Sequence, residues 1–184
     1  MTLPPSHPVS ADACPASLRR SRRRALAALL GGGLLGSTLP LRAAPAAKGE
    51  AVQWPAVRLL DGRPLPAPWL AGQAAVVVFF STTCPFCARH NKHVQKLSAQ
   101  MSGQPLQVIG VAQDRQMADV KRYLSNNAYT FAVTMDHRPL HEAMANRRVI
   151  PLTCVIDRTG RLREVFPGEM FEEDVLELAQ WAKA

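Results

Sequence analysis

The segment that most constrains the fold is Ala74 to Phe80, a continuous apolar run rich in Val and Phe that leads directly into Cys84-Pro85-Phe86-Cys87. An apolar run of strand length with no polar alternation is the pattern of a strand covered on both faces. After the cysteines, Cys87, His90, Val94, Leu97 and Met101 recur at steps of three and four, one face of an amphipathic helix ending near Gly103. A buried strand therefore turns straight into a helix, and a cysteine stands at the junction.

The rest of the chain repeats this alternation. Leu106 to Ala112 reads as a second buried strand, followed by a helix over Met117 to Asn126 that carries Val120, Tyr123 and Leu124. Next come a strand over Phe131 to Met135, a short helix around Leu140 to Asn146, a strand over Thr153 to Asp157, a turn at Arg158-Thr159-Gly160 and a strand over Leu162 to Phe166. A helix over Glu172 to Ala182 closes the chain, and a hairpin with a strand at Val57 to Leu60 and a turn at Asp61-Gly62 precedes everything else. Parallel βαβ units, then a hairpin and a terminal helix, describe an α/β sheet with helices on both faces. No internal repeat and no phosphate-cradling glycine loop is present in the sequence.

The cysteine pair carries the chemistry. A thiol attacks a disulfide as thiolate, so it needs an environment that lowers its pKa and a second thiol to resolve the mixed disulfide. Cys84 at a helix start meets unsatisfied N–H groups and the positive end of the helix dipole, Pro85 suits a first turn that needs no N–H there, and Cys87 one turn on serves as the resolving thiol. Zinc is the main rival, because Cys84, Cys87, His90 and His93 form a dense run of ligand types. Helical geometry weakens it, since at 100° per residue His93 lies about 120° away from Cys87. A Cys-x-x-Cys pair also closes too short a loop to be a useful staple. No resident metal or cofactor is expected.

Charge becomes ordinary once it is located. The 184-residue chain has 22 Lys+Arg against 14 Asp+Glu, but six of the arginines lie before residue 43. The first 46 residues read as an export leader: a polar, arginine-rich start, an apolar run from Ala25 to Leu41, and small residues ending in Ala44-Pro45-Ala46, with cleavage before Ala47. Ser21-Arg22-Arg23-Arg24-Ala25-Leu26 is similar to a twin-arginine motif, although Ala25 stands where Phe is commonest and a general secretory signal is the alternative. An uncleaved anchor is disfavoured because the apolar run is short, Gly-rich and Pro-broken. Without the six arginines and Asp12, residues 47–184 carry 16 basic and 13 acidic side chains, an ordinary soluble surface with no call for nucleic acid. Export to the periplasm leaves Cys84, Cys87 and Cys154, and an odd count cannot form a fully paired structural framework within one chain. Cys14 is given no role.

Val76 to Cys87, read with Ile150-Pro151 and Cys154-Val155-Ile156-Asp157-Arg158-Thr159-Gly160-Arg161, resembles the thioredoxin superfamily, specifically its exported TlpA-like branch of thiol-disulfide oxidoreductases, over essentially all of residues 52 to 182. The resemblance implies a thioredoxin-like fold: a central mixed sheet flanked by helices, with an N-terminal β-hairpin and a βα insertion around Val108 to Val111 and Phe131 to Asp136. It implies a monomeric periplasmic reductase of protein disulfides, fed by a membrane thiol transporter, in a branch whose clients include apocytochrome c during cytochrome c maturation. Pro151 would be a cis proline facing the cysteines, leaving the Ile150 backbone open to a substrate strand, with Pro85 and Phe86 also touching the client. Three positions depart from the pattern. Thr83 replaces a tryptophan, Val78 replaces the buried carboxylate of thioredoxin itself, and His90 replaces a frequent glutamate. His90, one turn from Cys87 on the inward side, is then the expected base or electrostatic partner of the thiols. Cys154 is expected to be an inert core thiol. A disulfide-donating oxidant and a non-enzymatic copper or zinc carrier using Cys84, Cys87 and His90 are the alternatives. A thiol peroxidase would want Pro and Thr where Val77 and Ser81 stand.

Overall fold

A computed structural model describes residues 44–65, 70–145 and 147–183. They belong to one compact unit, and residues 1–43, most of the export leader expected over residues 1–46, lie outside the described residues.

Alternation along Ala74–Phe80, here β3, sets up two cores. Successive side chains of a strand point to opposite faces, so Ala74, Val76, Val78 and Phe80 join one apolar cluster while Ala75, Val77 and Phe79 join another. Both faces are buried, as an uninterrupted apolar strand requires. β3 pairs in parallel with β4 (Leu106–Ala112), which pairs in parallel with β5 (Ala132–Thr134). On its other edge β3 pairs antiparallel with β6 (Leu152–Ile156), and β6 with β7 (Leu162–Pro167). The resulting five-stranded mixed sheet has the order β5-β4-β3-β6-β7. A separate two-stranded hairpin, β1 (Val57–Arg58) and β2 (Pro64–Leu65), supplies Val57 and Leu65 to the second core.

Helices divide between the faces according to their apolar stripes. The first core takes Cys87, Val94 and Leu97 from α1 (Pro85–Gln100), Val120 from α2 (Met117–Asn126) and Val175 from α4 (Glu172–Glu177). The second takes Leu140 and Met144 from α3 (His137–Met144). Gly110 in β4 is required by packing rather than by turning: a Cβ there would stand 2.8 Å from the Phe131 ring and 3.0 Å from the Phe80 ring.

Several boundaries differ from the sequence expectation, β1, β5 and β7 by one or two residues at an end, and three differences have a local cause. α3 starts at His137, not Leu140, because Pro139 falls in the first turn, where the missing N–H costs nothing. The single closing helix expected over Glu172 to Ala182 is α4 followed by a 3-10 helix at Leu178–Ala182, and both forms bring Val175, Leu178 and Ala182 to the core. β6 ends one residue early, because the Asp157 carboxylate turns to accept from the Thr159 and Arg161 amides at 2.8 and 3.0 Å, from the Thr159 hydroxyl and from Arg163. Burial alone would raise the Asp157 carboxyl, yet these donors outweigh it and hold its pKa down at about 2.

Candidate active site

Cys84 is the N-cap of α1: its backbone is extended, and its sulfur accepts the Cys87 amide N–H at 3.3 Å. The chain leaves β3 here so that the Cys84 sulfur sits at the N-terminal end of α1, where a free amide and the helix dipole suit negative charge. Pro85 opens the helix, and Phe86, 54% exposed, projects beside the cysteines. Cys84 is half-buried, whereas Cys87 is fully buried. Burial, reinforced by a hydrogen bond with Cys84, pushes the Cys87 thiol up to about 12. The pair is thus asymmetric, with one sulfur reachable and one held back as a thiol.

The turn before Cys84 is fastened by a residue that the spacing argument did not single out. Asp114, just beyond the end of β4, accepts from the Thr82 amide at 3.1 Å, the Thr82 hydroxyl at 2.6 Å and the Ser81 hydroxyl at 3.2 Å. A carboxylate immediately past the C-terminal end of a parallel strand is the signal that could have flagged it.

Ile150-Pro151 is a cis peptide. Because Phe79 pairs with Leu152, Pro151 lies at the end of the sheet from which the chain runs on to Cys84. Gly168 N–H donates to the Pro151 carbonyl at 2.8 Å, and among the described residues neither backbone group of Ile150 bonds to another backbone group. That unpaired edge is available to an extended partner strand.

His90 is where helical spacing puts it, on the buried side of α1 one turn from Cys87, with no exposed surface. Its ring is otherwise engaged than expected. Nδ1 accepts the Met170 N–H at 3.3 Å, so the proton of the neutral ring sits on Nε2 and is donated to the Thr153 hydroxyl at 3.1 Å. Burial lowers its pKa to about 4, and the neighbouring His93 adds to the effect. Both nitrogens are used, which in this arrangement leaves no lone pair to take a thiol proton. What His90 does is tie the cysteine helix to β6, two residues after Pro151, and to the segment after β7. Arg89 reinforces the tie with paired bonds to Glu169 at 2.6 and 2.7 Å while its guanidinium lies 5.0 Å from the Phe86 ring centre.

Nor does His90 join the thiols as a ligand set. Among the described residues no group of three or more His, Cys, Asp or Glu is arranged to hold a metal ion. Cys154 is fully buried in β6, its sulfur facing the Met144 carbonyl at 3.8 Å, and burial pushes its thiol up to about 12.

Residues 43–165 match the family model described as AhpC/TSA family. The chain belongs to the AhpC/TSA family. Among curated members of this thioredoxin-like family, thiol-disulfide oxidoreductase ResA of Halalkalibacterium halodurans is 26% identical over 124 residues, 67% of this chain and 70% of that protein. ResA of Geobacillus thermodenitrificans is 22% identical over 116 residues, 63% of this chain and 67% of that one. Among solved structures, a thiol:disulfide interchange protein of the thioredoxin family from Chlorobium tepidum superposes with a TM-score of 0.67 at 24% identity, covering 75% of this chain and 99% of its own. The AhpC/TSA family member described here is accordingly a thiol-disulfide oxidoreductase of thioredoxin-like fold, on the TlpA-like, ResA-like side of the superfamily.

Proposed function

We propose that the protein is a periplasmic reductase of protein disulfides, with Cys84 as nucleophile, Cys87 as resolving thiol and a membrane thiol transporter as electron source. The observation that carries this reading is the asymmetric pair: a reachable Cys84 sulfur at the helix start, a buried Cys87 behind it, and the unpaired Ile150 edge at the same end of the sheet. Cys84 thiolate attacks a client disulfide, forming the mixed disulfide and releasing one client thiolate. Cys87 then gives up its proton and attacks the Cys84 sulfur, expelling the second client thiolate. The client leaves as a dithiol, and the enzyme holds the Cys84–Cys87 disulfide until two electrons and two protons restore it. The export leader expected over residues 1–46 supports the periplasmic location.

Cys84→Ser should abolish exchange, and Cys87→Ser should accumulate mixed disulfides whose trapped partners name the clients. Wild-type turnover by Cys84→Ser would sink the assignment. Direction is read from the reduction potential: a value nearer about −270 mV than about −120 mV supports a reductase, and the reverse makes the protein a disulfide donor.

A further inference from the structure

The end of the sheet that carries the cysteines also carries a second concavity, on the opposite face. This cleft of about 620 Å³ lies between α3 and the segment leading into Pro151, with Gln113, His137, Arg138, His141 and Arg148 in its lining. The His141 ring packs tilted against Phe79 with ring centres 4.5 Å apart, and Gln113 is anchored by donating its N–H to the Phe80 carbonyl at 2.8 Å, so the floor is continuous with the last residues of β3.

The lining carries two cations, Arg138 and Arg148. Arg138 and Arg148 are exposed, and among the described residues no carboxylate pairs with either. His141 Nδ1–H points to the Ala145 carbonyl at 3.4 Å, so Nε2 is a buried acceptor and the two arginines, not the imidazole, supply the donors of the cleft. Glu142 is the carboxylate in the lining and is itself engaged. On the α1 side, Arg89 pairs with Glu169 and Lys96 with Glu172. The two arginines thus bring positive charge without a carboxylate partner to the α3 side of the Ile150-Pro151 segment.

We propose that this cleft receives a carboxylate of the client polypeptide, an Asp or Glu side chain a few residues from the attacked cysteine, and so selects disulfides with acidic flanks. The inference rests on the reductase reading above and adds the substrate class. A client strand paired along the Ile150 edge runs past Arg148, which is at most about 11 Å of chain from Pro151. An arginine fork binds a carboxylate through two parallel N–H bonds, and Arg148 with Arg138 supplies two such forks at a mouth that a flexible client side chain can enter.

The test uses two disulfide peptides identical except for Glu or Gln beside the cysteine, with the whole protein. Because the arginines are exposed, the expected preference in kcat/KM for the Glu peptide is modest, about three- to fivefold, and resides in KM. Arg138→Ala combined with Arg148→Ala brings the ratio to about one, while Arg148→Lys alone keeps it above that of Arg148→Ala. Equal turnover of both peptides by the wild type overturns the cleft assignment and leaves the reductase reading standing. Turnover of neither overturns both. Inhibition by free succinate with no Glu preference also overturns it, giving the cleft to small carboxylates instead of the client.

Discussion

His90 shows how one buried side chain couples position to pH. Its pKa is ordinarily 6.5 and falls to about 4 in the fold because burial penalises the imidazolium. Between those values the unfolded chain binds a proton that the folded one refuses, so this contribution to stability is complete above pH 6.5 and is lost as pH falls toward 4. The shift corresponds to about 3 kcal/mol. Urea unfolding across pH 4 to 7 should show the loss, and in a His90→Met variant the slope should flatten. At pH 7 the same variant should be about 2 kcal/mol less stable, since the Thr153 hydroxyl and Met170 N–H lose their partner in the interior. An unchanged slope would mean that His90 does not titrate in that window.

At the level of elements, the cysteine loop is positioned from β4 and not only from α1. Asp114→Ala removes the acceptor shared by Ser81 and Thr82, and with it the fixed turn that presents Cys84. Exchange should slow about tenfold, because a catalytic group displaced by a fraction of an ångström loses orientation. The conservative Asp114→Asn should recover part of the rate, and stopped-flow reduction of a peptide disulfide separates the two. Gly110→Ala addresses packing at the same strand. The new methyl group meets two buried rings and Val133, so denaturant unfolding should report a loss of about 1 to 3 kcal/mol.

For the molecule as a whole, thiol reactivity is partitioned by depth. Cys154 sits in a strand with neighbours on both edges, so a thiol label reaches it only through opening of the central sheet, the least available kind of fluctuation. In the reduced, folded protein Cys84 should label first and Cys154 only at the rate of unfolding, as followed by mass spectrometry. Rapid labelling of Cys154 would contradict its placement in the core.

Local chemistry made much of this legible from the chain. The apolar run Ala74 to Phe80 dictates a strand with two covered faces, the three-and-four spacing after Cys87 dictates the inward stripe of α1, and a cysteine at the strand-to-helix junction dictates an N-cap sulfur, all consequences of backbone periodicity. Partnership across the sequence was not legible. Helical spacing places His90 inward, but only the sheet order brings Thr153 and Met170 to its two nitrogens and turns an expected base into a tether. Asp114 reaches Ser81 and Thr82 because β3 and β4 end side by side in one sheet, and Arg148 comes to line one cleft with Arg138 because the chain folds back beside α3 on its way to β6. A hydrogen bond or a charged cleft depends on which groups meet in space, and that is set by how the layers close over one another.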